Sequence, residues 1–352
     1  MDHLLPWLGQ SLTEFFGPFR LFTSYLFLAG FGTALVALIT GWLLPRFWCH
    51  LPTDRGRAFA IEAERSLGKP VGGGLIFISI YLLGCLLIVP FDWPYLAALG
   101  CLLLAMLIGF LDDRTPGGWG EVRLGVLDLG ISLLGAMIIC RFQPVTVWLP
   151  LLKAPLVLPP LLYLPLATVL IWLTINATNC TDGVDGLSGS LTALAFGSLG
   201  GILYGVVGHQ EIARYLLVPH YQAGANWGLL AFLMVGCLAG YLWHNGYPSA
   251  VLMGDAGSRP LGFLLGMLVL ASGNPFLVMV VAGVVLVNGG TGLVKVALLR
   301  YLRIKILKQV RCPLHDHVRY KNGWSNTQVV MRFMLFQAVG TPILFILLLK
   351  IR

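Results

Sequence analysis

Apolar residues in this chain come in long unbroken stretches, not in strand-like alternation or the one-sided period of a surface helix. The stretches fall near 21–45, 71–91, 94–111, 124–140, 158–177, 187–208, 226–243, 260–272, 276–299 and 333–350. A helix needs roughly 20 apolar residues to cross a hydrocarbon core. The pattern therefore predicts an all-α, polytopic integral membrane protein with about ten transmembrane helices, in a single domain over 1–352. Charge or glycine interrupts two stretches, which leaves the count open by one. No repeat period and no inserted soluble domain is visible.

Composition narrows the picture. Hydrophobic residues make up 57% and charged residues 11%, against about 25% charged in a soluble domain. So few charges could not clothe a soluble chain of this length. The seven cysteines are scattered, mostly inside apolar stretches, with no CxxC pair; they read as small hydrophobes rather than a disulfide framework or a zinc site. The opening MDHLLPWLGQSLTEFF lacks a basic region and a small-residue cleavage site, so no cleaved signal peptide is expected.

Charge gives the orientation. Arg46, Arg55, Arg57, Arg65 and Lys69 follow the first stretch; Arg300, Arg303, Lys305, Lys308, Arg311, Arg319 and Lys321 precede the last. With ten spans both segments lie on one side, and the positive-inside rule makes that side the cytoplasm. Both termini then face outward. The intervening loops are poor in base, with Arg141 and Lys153 in one and Arg214 in another. The net charge of +8 is thus mainly topological. It also favours an anionic lipid or nucleotide as substrate, while no motif supports nucleic-acid binding.

Asp and Glu total only 15, so their placement carries information. Asp112 and Asp113 close the third span in GFLDDRTPGG; Asp182 and Asp185 lie in NATNCTDGVDGLSG; Asp255 lies in NGYPSAVLMGDAGS; Asp316 stands between His315 and His317 in PLHDHVRY. The ten-span topology puts all six on the cytoplasmic face. Each motif has a plain reading alone: a solvated helix end, a glycine turn, a helix-breaking loop, exposed polar residues. Four of them on one face of a charge-starved chain mark a functional site, because ionisable groups near the membrane are costly. Carboxylates with glycine loops suit Mg²⁺, a hard cation that bridges to substrate phosphates, with backbone amides close to the phosphate. The chemistry this implies is phosphoryl transfer at the membrane surface.

NATNCTDGVDGL, MGDAGS with NGYP ten residues upstream of its aspartate, and LDD after the third span together resemble the polyprenyl-phosphate N-acetylhexosamine-1-phosphate transferases. The opening LLPWLGQSLTEFFGPF and the closing HDHVRYKNGWSNTQVVMRF resemble the phospho-N-acetylmuramoyl-pentapeptide transferase branch, and the likeness spans essentially the whole chain. The resemblance implies a ten-helix fold in a bacterial inner membrane. It implies transfer of phospho-MurNAc-pentapeptide from its UDP carrier to undecaprenyl phosphate, giving lipid I and UMP with Mg²⁺; a homodimer is compatible with it. By motif position, Asp255 would be the main Mg²⁺ ligand, assisted by Asp112 and Asp113. Asn179, Asp182, Gly183, Val184, Asp185, Asn245 and Leu252 would shape the nucleoside and phosphate pocket. His315, Asp316 and His317 would face the sugar and phosphates.

The chain departs from the family pattern at several positions. Its triple-histidine loop reads His315-Asp316-His317. A lysine after the DD pair is absent, Arg114 and Arg123 being the bases nearest in sequence. Ser66 stands where a nucleotide-side lysine is usual, with Arg65 or Lys69 nearby to compensate. Leu252 replaces an aromatic, Lys295 a glutamine, and Arg259 follows GDAGS. A related enzyme transferring GlcNAc-1-phosphate and a catalytically weak homologue are the competing readings within this family. A transporter is disfavoured, because the carboxylates gather on one face and no inverted repeat is seen.

Overall fold

The computed structural model describes residues 4–56, 66–152 and 154–350. Arg57, Arg65, Lys153 and the extreme termini, on which part of the charge and topology reading rests, lie outside the described residues.

Helices dominate. In chain order they are α1 (Leu4–Leu12), α2 (Tyr25–Phe47), α3 (Gly74–Ile88), α4 (Trp93–Arg114) and α5 (Glu121–Cys140), then a hairpin of β1 (Val145–Val147) and β2 (Leu156–Leu158). There follow α6 (Pro160–Thr181), α7 (Leu187–Gly201), α8 (Gln210–Tyr215), α9 (Gly224–Asn245), α10 (Asp255–Ala271), α11 (Leu277–Val281), α12 (Gly283–Val285), α13 (Thr291–Tyr301), α14 (Leu314–Asn322) and α15 (Asn326–Lys350). Two π-helical segments interrupt the regular ladder, Ile202–Val207 after α7 and Leu286–Gly290 between α12 and α13.

Every predicted apolar stretch carries a helix. Among the described residues, eight helices are long and apolar enough to cross a membrane: Tyr25–His50, Trp93–Arg114, Glu121–Cys140, Pro160–Thr181, Leu187–Val207, Gly224–Asn245, Gly283–Tyr301 and Asn326–Lys350. The other two stretches hold shorter helices, α3 with 15 residues and α10 with 17. Lipid-side residues such as Leu38, Leu104, Leu161, Leu166, Phe336 and Ile343 are exposed, an apolar surface that suits hydrocarbon and not water. The short amphipathic pieces α1, α8 and α14 and the hairpin were not foreseen; they are too brief to give a hydropathy signal.

The helix α10 is the hub. Beyond its first residue it is buried along almost its whole length, so it does not need the uniformly apolar surface of a lipid-facing span. Small residues let its neighbours approach. A Cβ on Gly109 of α4 would lie 2.2 Å from the Asp255 carbonyl oxygen, and one on Gly74 of α3 would lie 2.0 Å from the Gly257 nitrogen. On the α6 side, Gly262 faces the Ile175 backbone at 2.4 Å in the same sense. Close backbone approach at small residues is how helices gain packing energy where hydrophobicity gives no drive.

These crossings set the polarity of the bundle. The C-terminal ends of α4, α6 and α9 and the N-terminal end of α10 meet at one end. The hairpin, pairing Val145 with Leu158 and Val147 with Leu156, joins α5 to α6 at the other. It is pinned there by the buried Trp148, whose Nε1–H donates to the Ser272 carbonyl at 3.0 Å, and by the Tyr221 hydroxyl donating to the Thr146 carbonyl at 3.0 Å.

Candidate active site

The GDAGS turn starts the site. Gly254 has φ +69° and ψ 179°, a conformation open essentially to glycine alone. A Cβ there would also collide with Asp113 Oδ2 at 2.4 Å. With that space clear, the Asp113 carboxylate reaches the start of α10. Its Oδ1 accepts from the Asp255 N–H and its Oδ2 from the Ala256 N–H, both at 3.0 Å. A carboxylate from α4 thus caps α10, satisfying orphan donors and complementing the helix dipole. Asp112, one residue earlier, accepts from the Trp119 backbone N–H through Oδ1.

Capping draws three carboxylates together. One ligand oxygen from each of Asp112, Asp113 and Asp255 lies within 4.8 Å of the others, and all three side chains are half-buried. This is the set the sequence reading nominated for metal. Asn179, at the end of α6, completes the wall: its amide donates to Asp255 Oδ1 at 2.8 Å and to the Ser258 hydroxyl at 3.0 Å. The outer oxygen of Asp255 is held by Arg259, whose Nε and Nη2 both reach Oδ2, at 2.8 and 2.7 Å. Nη1 of Arg259 pairs with the buried Asp128 of α5.

The DGVDG turn forms the adjoining wall. Gly186 sits in the left-handed region, φ +77°, at the start of α7, and its N–H donates to Asn245 Oδ1 at 2.8 Å. The Asn245 amide donates to the Val251 carbonyl at 2.8 Å, so this buried side chain ties the turn to the loop before α10. Val184 is buried, whereas Asp182 and Asp185 are half-buried and Gly183 is exposed. Asp185 Oδ2 accepts from the Ser249 N–H at 3.0 Å. Lys69 lies 3.7 Å from the same oxygen and donates to the Ser249 hydroxyl at 3.0 Å. A cation therefore does stand at this loop, as the sequence suggested for Lys69. Leu252 is half-buried, its N–H donating to the Pro70 carbonyl at 2.8 Å and its carbonyl accepting from Gly73 at 2.9 Å.

The histidine loop packs against the DGVDG turn from α14. His315 is buried, and its ring lies so close to the DGVDG turn that a Cβ on Gly183 would meet Nε2 at 2.5 Å. Asn288, in the π-helical segment, accepts from the His315 N–H at 2.8 Å and contacts the ring Nδ1 at 3.1 Å. His317 Nδ1 accepts from the Arg311 N–H at 3.3 Å, which assigns the ring proton of the neutral tautomer to Nε2. Asp316 Oδ1 lies 3.7 Å from Arg319 and 3.8 Å from the His315 ring. Burial pushes the Asp316 carboxyl above its ordinary value, and Arg311 and Arg319 oppose that rise.

All thirteen nominated residues thus fall at one end of the bundle. The sequence reading missed Asn288, Asp128 and Ser249. Asp128 carried a readable signal, a lone carboxylate inside the apolar GVLDLGIS run. Arg114 and Arg123 were the bases nearest the DD pair in sequence. In space both are exposed, Arg123 lies 3.7 Å over the Trp119 ring, and Arg259 contacts Asp255. Lys295 donates to the Val310 carbonyl at 2.7 Å, bracing the basic loop instead of facing the pocket.

Comparison with known proteins places the chain among relatives by sequence. Residues 95–273, which include the DD, DGVDG and GDAGS motifs, match the glycosyl transferase family 4 model. A phospho-N-acetylmuramoyl-pentapeptide-transferase of Treponema pallidum is 47% identical over 344 residues, covering 97% of this chain and 95% of its own length. The enzyme of the same name from Dinoroseobacter shibae is 31% identical, covering 96% and 97%, and that from Campylobacter jejuni 28% identical, covering 95% and 98%. A family model that takes in the carboxylate wall, together with likeness over nearly the full length, leads to one conclusion: the chain belongs to glycosyl transferase family 4, in its phospho-N-acetylmuramoyl-pentapeptide transferase group.

Proposed function

We propose that this protein transfers the phospho-MurNAc-pentapeptide group from its UDP carrier to undecaprenyl phosphate, yielding lipid I and UMP. The observation that carries the reading is the meeting of three carboxylates, the DGVDG turn and the histidine loop at one end of a membrane bundle, in a chain 47% identical to an enzyme of that name. An oxygen of the lipid phosphate attacks the phosphorus that bears the sugar. A new P–O bond forms there, the bond to the uridine-side phosphate breaks, and UMP leaves with that electron pair. The attacking phosphate is already ionised near neutral pH, so no base is required of Asp112 or Asp113.

Asp112, Asp113 and Asp255 would hold Mg²⁺. Their donor set fits: hard carboxylate oxygens, close enough to share one small cation, each carboxylate offering about four lone-pair sites before its hydrogen bonds are counted. Bound there, the ion supplies charge neutralisation for the pyrophosphate. The residues around it do the positioning. His315 and His317 would donate to phosphate oxygens, Asp182, Gly183 and Asp185 would border the nucleoside, and Leu252 would lie under the base. The proton assigned to His317 Nε2 suits that role.

In this reading α3 and α10 complete a ten-helix topology with both termini outside and the site at the cytoplasmic face of the bacterial inner membrane. Support comes from charge, since Lys69, Arg300, Arg311 and Arg319 all belong to segments at the carboxylate end. The deciding experiment is UMP release in membranes containing undecaprenyl phosphate, with UDP-MurNAc-pentapeptide and UDP-GlcNAc as rival donors. Preference for the first is expected; preference for the second moves the chain to the related GlcNAc-1-phosphate transferases.

A further inference from the structure

A cationic side chain sealed inside a membrane bundle needs an explanation. The side chains of Arg259 and Asp128 are 5% and 2% exposed. Desolvating such a pair costs more than an apolar pair of similar volume would, so a buried salt bridge is weak evidence for stability alone. Asp128 balances the charge of Arg259, so together they add no net charge to the three carboxylates. What the pair does add is direction. Arg259 carries a rigid planar fork, and two further donors of that fork converge on a single atom: Nε and Nη2 both bond Asp255 Oδ2. Of the roughly four lone-pair sites on the Asp255 carboxylate, these two bonds use both on Oδ2. Asn179 uses one of the two on Oδ1. A single lone pair remains, on Oδ1.

We infer that Arg259, anchored by Asp128, is a positioning residue of the transfer site, locking Asp255 so that it presents one oxygen, Oδ1, to the cation. The inference rests on the functional reading above and deepens it. Asp128 and Arg259 act as one unit: without Asp128 the guanidinium loses its anchor, and without Arg259 the Asp255 carboxylate keeps the Asn179 bond to Oδ1 but loses both bonds that fix Oδ2. Groups that hydrogen-bond a metal-ligating side chain typically govern metal affinity by 10–100-fold.

The test uses the full-length protein in nanodiscs of phosphatidylcholine, with Mn²⁺ alone as a spectroscopic probe and UMP release as a second readout. The informative variant is Asp128→Leu with Arg259→Leu, which exchanges the buried pair for apolar side chains. It is expected to unfold at the wild-type temperature or above. Mn²⁺ affinity should fall by about tenfold or more, a change of at least 1.4 kcal/mol, with a lower kcat and little change in KM for the donor. Arg259→Lys keeps the charge and loses the fork, and should give an intermediate Mn²⁺ affinity; it serves as the readout if the double variant does not fold. Mn²⁺ binding within twofold of wild type in the variant that folds overturns the inference. A wild-type protein that releases no UMP from either donor brings down the functional reading instead.

Discussion

At the start of α10 the carboxylates are fixed by backbone: Asp113 is seated on two consecutive N–H groups, and Asp255 is itself the first residue of the helix. Across the pocket, the histidines of α14 are fixed by thinner means. His315 bonds the Asn288 side chain through its backbone N–H and its ring, and His317 accepts from one N–H of a loop. The first region is stiff because glycines bring helices into backbone contact around it. The second is held through side-chain hydrogen bonds, each worth about 1 kcal/mol net. The ion pairs of the two regions differ in the same way. In the stiff region Arg259 pairs with Asp128 from another helix, whereas Asp316 in the loose region faces Arg319, three residues on in its own helix.

The largest effects should come from the stiff wall. Asp255→Asn and Asp112→Asn are each expected to cut UMP release by about a thousandfold or more while leaving the protein folded. Asp113→Asn should lose activity and stability together. It surrenders one of two acceptors at a helix N-terminus, where a cap is worth about 0.5–2 kcal/mol. A thermal melt of the three variants separates these roles. If Asp113→Asn melts with the other two, the cap is not what holds α10.

Intermediate effects belong to the histidine loop. His317→Ala should cost about a hundredfold in kcat. Asn288→Ala should cost about tenfold, acting through His315, and should leave UMP affinity nearly unchanged. A loss in UMP affinity equal to the loss in rate would place Asn288 on the nucleotide side instead.

Smaller still is Asp316. Its Asp316→His variant should stay within about tenfold of the wild-type rate and keep the same preferred donor; a switched donor would show that this carboxylate reads the sugar. Stability gives an independent check. The carboxyl is raised in the folded state, chiefly by burial, so the native protein holds its proton to higher pH than the unfolded chain. The wild type therefore loses stability as pH rises through the window above the ordinary carboxylate value of about 3.9. Asp316→Asn should melt higher than wild type near neutrality, and the gap should close on acidification below that window. An equal gap at all pH values would contradict the assignment.

The smallest expected effect is at Leu252, whose backbone is tied to Pro70 and Gly73 on both sides. Leu252→Phe offers a π-face to the base and should tighten UMP inhibition by on the order of 1 kcal/mol. Unchanged inhibition would mean the base is held elsewhere.

The apolar stretches and the four acidic motifs were legible because length and charge scarcity are properties of sequence alone. Each stretch became a helix, and the nominated residues assembled at one end. Helix α10 fell short of a clear membrane signal because protein, not lipid, surrounds it, which frees it to carry Ser258, Arg259 and Pro260. Asn288 was invisible for a different reason. It reaches His315 from a π-helical segment, and no periodic pattern announces an extra residue in a turn. The Asp128–Arg259 pair joins residues 131 positions apart, so neither could be matched with the other before the fold was known.

The central claim is that the phosphate next to the sugar travels with it. Donor labelled with ³²P at that phosphate, incubated with membranes and undecaprenyl phosphate, tests this directly. The account predicts that the label moves to the lipid fraction while unlabelled UMP is released; label leaving in UDP would show glycosyl rather than phosphoglycosyl transfer and contradict it.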